Sequence, residues 1–218
     1  MNIKNKILSN AFMWLFIGLM VCFSVSYVST MSTSITLSIY AGLHGYAYII
    51  FLVTEIVIAI ILSTCIRKMN PIVAKILYLL YCGLTGLSLT GIFAVYTSAS
   101  LCYIFLVTAI IFAVFAIIGR YTKVDLTKYG LYLFIGLIAT LLLEIINLFL
   151  MNNTLDMFLS FITIIVFCGY IAYDINHAIN DNYLSDSENK GIYIAFQLFL
   201  DFINIFIELL RLFGKSRD

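Results

Sequence analysis

Long apolar runs separated by short polar links dominate the chain. Seven runs each come close to the ~20 residues that a helix needs to cross the hydrocarbon core of a bilayer. The pattern predicts seven transmembrane helices in a single domain that covers residues 1–218. The predicted helices cover residues 8–29, 43–66, 72–96, 99–119, 129–150, 155–178 and 191–213.

The composition agrees with an all-α integral membrane protein. Hydrophobic residues make up 63% of the 218-residue chain and charged residues only 11%, whereas soluble domains average about 25% charged residues. The net charge of +1 and the absence of a basic arm argue against a nucleic-acid partner. Five scattered cysteines without a C-x-x-C pair indicate small buried side chains, so no cofactor is expected.

The basic residues predict the orientation in the membrane. Nine of the twelve lysines and arginines lie before the first run or in alternate links, around residues 67–75, 120–128 and 190. By the positive-inside rule the amino terminus is cytoplasmic. Lys215 and Arg217 break the pattern if the last run crosses the membrane, and they fit it if that run is re-entrant. Because the run is unbroken, we favour a full span.

The last run carries a polar stripe that no lipid-facing helix would tolerate. Its polar residues are spaced 4, 3, 4 and 3 positions apart, which places them on one face of a helix. Ionisable groups in hydrocarbon turn inward, toward partners or water. We therefore expect this helix to be the hub of the bundle, with the other helices around it. The stripe consists of Gln197, Asp201, Asn204, Glu208 and Arg211.

Two aspartates are expected to meet inside the bundle. Asp174 lies about two turns before the cytoplasmic end of the sixth run, and Asp201 lies ten residues into the seventh, about 15 Å from its start. If these two helices are antiparallel neighbours, the carboxyl groups lie at similar depth. Two carboxyl groups in contact at low dielectric tend to share one proton. The pair is thus a candidate proton-operated switch.

Arg67 ends the second run on the same side of the membrane. Its guanidinium could reach the aspartates and hold them in a bidentate contact. A simpler interpretation is a side chain that extends to the lipid headgroups and fixes the topology.

Further acidic groups fall deeper in the runs. Carboxylate and amide oxygens are the ligands that calcium prefers, so we expect an outer acidic vestibule that leads to the inner aspartates. The alternative is that each glutamate is neutral and hydrogen-bonded between helices. The candidate residues of the cation pathway are Glu55, Glu144, Asn204 and Glu208, and the candidate calcium ligands are Asp174, Asp201 and Glu208.

Two motifs resemble the transmembrane Bax inhibitor motif family, also called the Bax inhibitor-1 family. They are Tyr173-Asp174 in the sixth run and L-D-F-I-N-I-F at residues 200–206, which is followed by Leu209-Leu210-Arg211. The resemblance covers the whole chain in length and helix count. It implies seven helices with the last one surrounded by the other six.

The resemblance also implies a function. Bacterial members resemble pH-sensitive calcium-leak proteins, in which an aspartate pair switches with protonation and an arginine latches it. These roles fall on Asp174, Asp201 and Arg67 here. The short tails are more similar to a bacterial member, which implies the plasma membrane, while eukaryotic and viral relatives are linked to suppression of cell death. Glu208 departs from the family pattern, where an uncharged residue is expected.

Two other classes of function remain open. An intramembrane aspartyl protease would also place two aspartates on neighbouring helices, but it needs G-x-G-D where this chain has Leu198 to Asp201, and it needs a P-A-L motif that is missing. We therefore do not expect an enzyme. A membrane adaptor that restrains a protease or a cell-death regulator is compatible with the family, and its partner would be another membrane protein.

Overall fold

The structure is a computed structural model, and it describes residues 3–32, 46–180 and 188–217. The all-α prediction is confirmed for this part of the chain. The helices are α1 (Ile3–Met31), α2 (Tyr46–Cys65), α3 (Pro71–Ser88), α4 (Thr90–Val95), α5 (Ser98–Tyr121), α6 (Gly130–Leu150), α7 (Asn153–Asn180) and α8 (Glu188–Phe213). Short 3₁₀ turns lie at Ile66–Lys68 and Thr127–Tyr129.

Six stretches of the described chain are long and apolar enough to cross a membrane. They are Asn5–Met31, Pro71–Val95, Ser98–Tyr121, Thr127–Leu150, Asn153–Asn180 and Asn189–Phe213. They coincide with six of the seven predicted runs. The remaining run corresponds to α2, whose described apolar part, Val53–Cys65, is shorter than a span.

The third predicted run contains a break that its hydropathy did not reveal. Asn70 caps the start of α3, because its side chain accepts a hydrogen bond of 2.9 Å from the backbone N–H of Ile72. Pro71 occupies the first turn, where the backbone N–H that proline lacks would have no partner within the helix. The helix ends at Ser88, and α4 begins again at Thr90. The apolar run therefore folds as two consecutive helices rather than as one.

The described residues form two compact units. The first unit contains α1 to α4 and the beginning of α8 as far as Phe199. The second unit contains α5 to α7 and the rest of α8 from Leu200. Helix α8 thus contributes to both.

In the first unit, α1 packs closely on α3. A Cβ atom added to Gly86 would lie 2.5 Å from the carbonyl oxygen of Cys22, so only glycine fits there. The Ser26 hydroxyl joins the two helices through hydrogen bonds to Cys22 O and Gly86 O. Gly83 lies about one turn earlier on α3, and nothing lies within 4 Å of a Cβ atom added to it. Close packing therefore depends on Gly86 and not on Gly83.

In the second unit, α7 packs on α5 and α6. A Cβ atom on Gly119 would lie 2.3 Å from the carbonyl oxygen of Ala172, so the backbones of α5 and α7 are in contact. The Phe202 ring of α8 packs against Phe105 and Phe112 of α5, with centroids 5.3 and 5.8 Å away. Helix α5 thus contacts α7 two residues before Asp174 and α8 one residue after Asp201.

Helix α8 is the most buried of the six candidate spans. In its most apolar stretch 72% of the residues are buried, against 11–39% in the other five. Its start lies at the link before α3, where Asn189 donates hydrogen bonds to Ile66 O and Met69 O. Past its end, the Arg217 N–H donates to Val95 O of α4 at 2.8 Å. Within the first unit, the start of α8 thus contacts the link before α3, and the tail at Arg217 contacts the end of α4.

Candidate functional site

The structure brings Asp174 and Asp201 together. Asp174 lies on the buried face of α7, in line with Ile171 and Ala178, and Asp201 lies between buried apolar residues of α8. Their relative exposures are 6% and 4%, and their side chains are in hydrogen-bonding contact with each other. One carboxyl oxygen, Asp201 Oδ2, is buried without a hydrogen-bond partner. This pair is named the inner carboxyl pair.

Several ionisable side chains of α7 surround the inner carboxyl pair. Tyr170 is within electrostatic range of both carboxyl groups, and Cys168 is within range of Asp201. His177 follows Asp174 by about one turn, but its ring stacks on Tyr173 with centroids 5.7 Å apart. The aspartates therefore lie in a mostly apolar setting that contains only weakly acidic neighbours on α7.

Arg67, the predicted latch, lies in the 3₁₀ turn that links α2 to α3. Its side chain falls outside the described part of the structure, so a contact with the aspartates remains a prediction. The backbone of this turn is held by Asn189, whose Nδ2 donates to Ile66 O at 2.9 Å and to Met69 O at 2.7 Å.

A second cluster of charged groups lies at the other end of α7 and α8. Arg211 Nη1 lies 3.1 Å from Glu208 Oε2 and 3.7 Å from Asp156 Oδ1. The Glu208 side chain is only 7% exposed, whereas Arg211 is 37% exposed. On α6, Glu144 accepts a hydrogen bond of 3.2 Å from the Thr163 hydroxyl. These residues are named the outer ionic cluster.

A cavity of about 510 Å³ opens beside the outer ionic cluster. Its lining combines apolar side chains with charged and amide groups. Its lining residues are Leu141, Glu144, Ile145, Asn147, Leu148, Met151, Asn153, Asp156 and Arg211. Glu144, one of the predicted vestibule residues, lines this cavity.

Asp156 is a member of this cluster that the sequence analysis missed. It lies in the first turn of α7, where an acidic residue is favoured by the partial positive charge of the helix N-terminus. The sequence could have indicated this neighbour. The sixth run begins on the side of the membrane where a spanning seventh run ends, so Asp156 and Arg211 lie on the same side. The predicted run 155–178 includes Asp156, but no role was assigned to this residue.

Two other predicted pathway residues have local partners. Glu55 Oε2 in the first unit accepts a hydrogen bond of 2.7 Å from the Ser88 hydroxyl. Asn204 Nδ2 donates to Leu200 O of its own helix at 2.7 Å. Both side chains are half-buried. Glu55 thus fits the alternative of a glutamate hydrogen-bonded between helices as well as it fits a pathway.

The proposed calcium ligands do not form a single site. Among the described residues, no three side chains of the types His, Cys, Asp and Glu are grouped closely enough to hold a metal ion. Asp201 and Glu208 are seven residues apart on one helix, which separates them by about 10.5 Å along its axis. Glu208 belongs to the outer ionic cluster, while the aspartates form the inner carboxyl pair, and calcium binding at these residues stays a prediction.

Similarity to known proteins covers nearly the whole chain. The family model described as inhibitor of apoptosis-promoting Bax1 matches residues 4–218. A protein of Borreliella burgdorferi is 33% identical over 99% of this chain and 94% of its own length. The inner membrane protein YbhL of Escherichia coli is 34% identical over 94% of this chain and 89% of its own length.

The relatives agree with the motifs and the apolar helices in indicating an integral membrane protein, and the two named here carry no enzymatic name. A family match of this extent is decisive for membership. The chain belongs to the Bax inhibitor-1 family of membrane proteins.

Proposed function

We propose that the protein is a pH-regulated calcium leak channel of a bacterial plasma membrane. The contact between the buried carboxyl groups of Asp174 and Asp201 is the observation that carries this proposal. Two carboxyl groups in contact away from water do not both stay ionised, so their shared proton depends on pH. A change in that proton alters the contact between α7 and α8.

In this proposal all seven predicted runs cross the membrane, and α8 is the central helix with the other six around it. The burial of α8 supports this arrangement. A full span of α8 is supported by its two ends, because one lies at the link before α3 and the tail after the other reaches the end of α4. With the amino terminus in the cytoplasm, the inner carboxyl pair lies toward the cytoplasmic side.

The cation path starts at the outer ionic cluster and its cavity. Glu144 and Asp156 line that cavity and Glu208 adjoins it through Arg211, so carboxylate oxygens are available to a calcium ion. Glu55 and Asn204 are further candidates for the path. Arg67 is proposed as the latch that holds the ionised aspartates and closes the inner end.

The test is calcium flux into liposomes that contain the purified protein, measured at pH 6 and pH 8. Wild-type flux is expected to differ several-fold between the two pH values. In the double variant Asp174→Asn/Asp201→Asn the ratio is expected to fall to about one, since amide groups do not titrate. Asp125→Asn is the matched control, because Asp125 is an exposed aspartate in the link between α5 and α6.

Each other outcome leads to another class of function. If the folded wild-type protein passes no calcium or other cation at either pH, the channel is refuted. Crosslinking to a membrane protein partner would then favour the adaptor. Cleavage of a transmembrane peptide that an aspartate-directed inhibitor blocks would favour the protease.

A further inference from the structure

Two asparagine side chains, each on a helix, form hydrogen bonds to the backbone of a link between two other helices. In the first unit, Asn189 in the first turn of α8 holds the link between α2 and α3. In the second unit, Asn176 of α7 holds the link between α5 and α6. Asn189 donates to two backbone carbonyl groups of its link, whereas Asn176 donates to Gly119 O at the end of α5 and to Val124 O in the link. Both links are rich in basic residues and are cytoplasmic in the proposed topology.

The two contacts differ in how completely the asparagine amide is used. Asn176 donates to Gly119 O and Val124 O, and its Oδ1 accepts from the Leu126 N–H at 3.1 Å and from Asn180 Nδ2 at 3.3 Å. Asn189 donates two shorter bonds, but its Oδ1 is buried and has no hydrogen-bond partner among the residues that the structure describes. A buried acceptor without a partner costs free energy that exposure to water restores. Opening is therefore less unfavourable at Asn189 than at Asn176.

The α8 side of the Asn189 contact is fixed. Gly191 packs against Asn10 of α1 so closely that an added Cβ would lie 2.6 Å from Asn10 Nδ2. Asn189 itself is 4% exposed. On the link side, Ile66 is buried, but Lys68 and Asn70 are exposed and the Met69 N–H to Ile66 O bond is long, at 3.4 Å. The link side of the contact is thus more exposed to water than the α8 side.

We propose that Asn189 is a positioning residue that clasps the α2–α3 link to the start of α8, and that release of this clasp opens the cytoplasmic end of the cation path. The inference rests on the proposed function, and it concerns the regulation of the same path. The clasped turn contains the backbone of Arg67, and α8 carries Asp201 twelve residues further on, about 18 Å along the helix. The clasp thus holds the turn that carries Arg67, the predicted latch, against the start of α8.

Hydrogen exchange tests the clasp without reference to transport. In purified Asn189→Leu protein, the backbone amides of residues 66–70 are expected to exchange about tenfold faster or more, because two hydrogen bonds that each contribute roughly a factor of five are lost. Exchange in residues 122–126 is expected to stay unchanged. Asn176→Leu is the matched control and should give the reverse pattern. Unchanged exchange at residues 66–70 in Asn189→Leu would overturn the clasp.

Calcium flux then tests what the clasp does. At the pH where wild-type flux is lowest, Asn189→Leu is expected to raise flux several-fold, and Asn189→Gln, which keeps both amide donors, should stay closer to wild type. If Asn189→Leu is not monodisperse in detergent, Asn189→Ala takes its place in both measurements.

The outcomes separate the two proposals. Faster exchange with unchanged flux, in a protein whose wild type conducts, would make Asn189 a purely structural residue and overturn the regulatory inference. A wild type that conducts no cation refutes the proposed function and the opening step with it, while the exchange data still decide whether the clasp exists.

Discussion

The second unit contains two ionisable clusters between α7 and α8, and they are built in opposite ways. The inner carboxyl pair joins two acids, Asp174 and Asp201, in a buried contact. The outer ionic cluster joins acids to a base, since Arg211 lies 3.1 Å from Glu208 and 3.7 Å from Asp156. The same two helices therefore meet through like groups at one place and through opposite groups at the other.

This difference separates two kinds of contact. A guanidinium keeps its charge at every physiological pH, so the basic partner of the outer contact stays charged near neutrality. Two carboxyl groups that are buried away from water attract each other only when they share a proton. The outer cluster is thus suited to hold α7 to α8, and the inner pair is suited to report pH.

The largest expected effect on stability comes from breaking the outer contact on one side. Arg211→Leu leaves the buried Glu208 carboxyl without its cation. The free energy of unfolding is expected to fall by roughly 1–3 kcal/mol, a range that already allows for the partial exposure of Arg211 to water. Thermal unfolding in detergent measures this change.

The double variant Arg211→Leu/Glu208→Leu sharpens the comparison. It is expected to be more stable than Arg211→Leu alone, because no buried charge remains. The inner variant Asp174→Asn/Asp201→Asn should stay within about 1 kcal/mol of wild type, since amides can still hydrogen-bond to each other. A double variant as unstable as Arg211→Leu would show that the outer contact contributes packing rather than charge pairing.

The helix contact behind Asp174 is the next test. Gly119→Ala places a methyl group against the backbone of Ala172, which cannot move aside, and is expected to cost about 1–3 kcal/mol. Gly83→Ala is the control, because nothing lies within 4 Å of its added Cβ and alanine favours a helix. Equal unfolding midpoints for the two variants would contradict the close approach of α5 and α7.

Removing single carboxyl groups from the proposed cation path is expected to change calcium transport only a few-fold. Glu208→Gln and Glu55→Gln are each expected to lower calcium flux a few-fold, because each removes a carboxylate that attracts the cation. Glu208→Asp keeps the charge and should retain more flux than Glu208→Gln. If both glutamine variants conduct like wild type, these glutamates only join helices and the vestibule is not a cation path.

The smallest effect is expected at Asp125, outside the spans. Hydrogen bonds from the Thr127 hydroxyl and backbone N–H hold the pKa of this exposed carboxyl below its usual 3.8. The stabilisation is fully present above that value and is lost as the pH falls through the lowered pKa. Asp125→Asn should therefore leave the ratio of fluxes at pH 6 and pH 8 unchanged. A changed ratio would mean that the link between α5 and α6 takes part in the pH response.

Most of the helices could be predicted from the sequence, and some of their details could not. Apolar runs near 20 residues long mark spans because every backbone polar group in a bilayer must be bonded within a helix. The break at Leu89 was missed because both sides of it are equally apolar. Gly83 and Gly86 have the same sequence signal, yet only Gly86 meets another backbone.

The candidate site shows the same division. The contact of Asp174 with Asp201 was predicted, because both lie a few turns from the same loop on consecutive helices. Arg211 was placed on the polar face of α8, but its partner Asp156 was not foreseen, and calcium binding at Glu208 stays a prediction. The Asn189 clasp joins residues about 120 positions apart, and no local pattern marks such a pair.

The sequence by itself determined the membrane class, the family, the helices and the residues that each helix turns inward, because hydropathy and the helical period act along one chain segment at a time. Only the tertiary structure decided which inward residues become partners. That choice depends on the rotation and axial shift of one helix against another, which the packing of glycines and aromatic rings between distant segments sets.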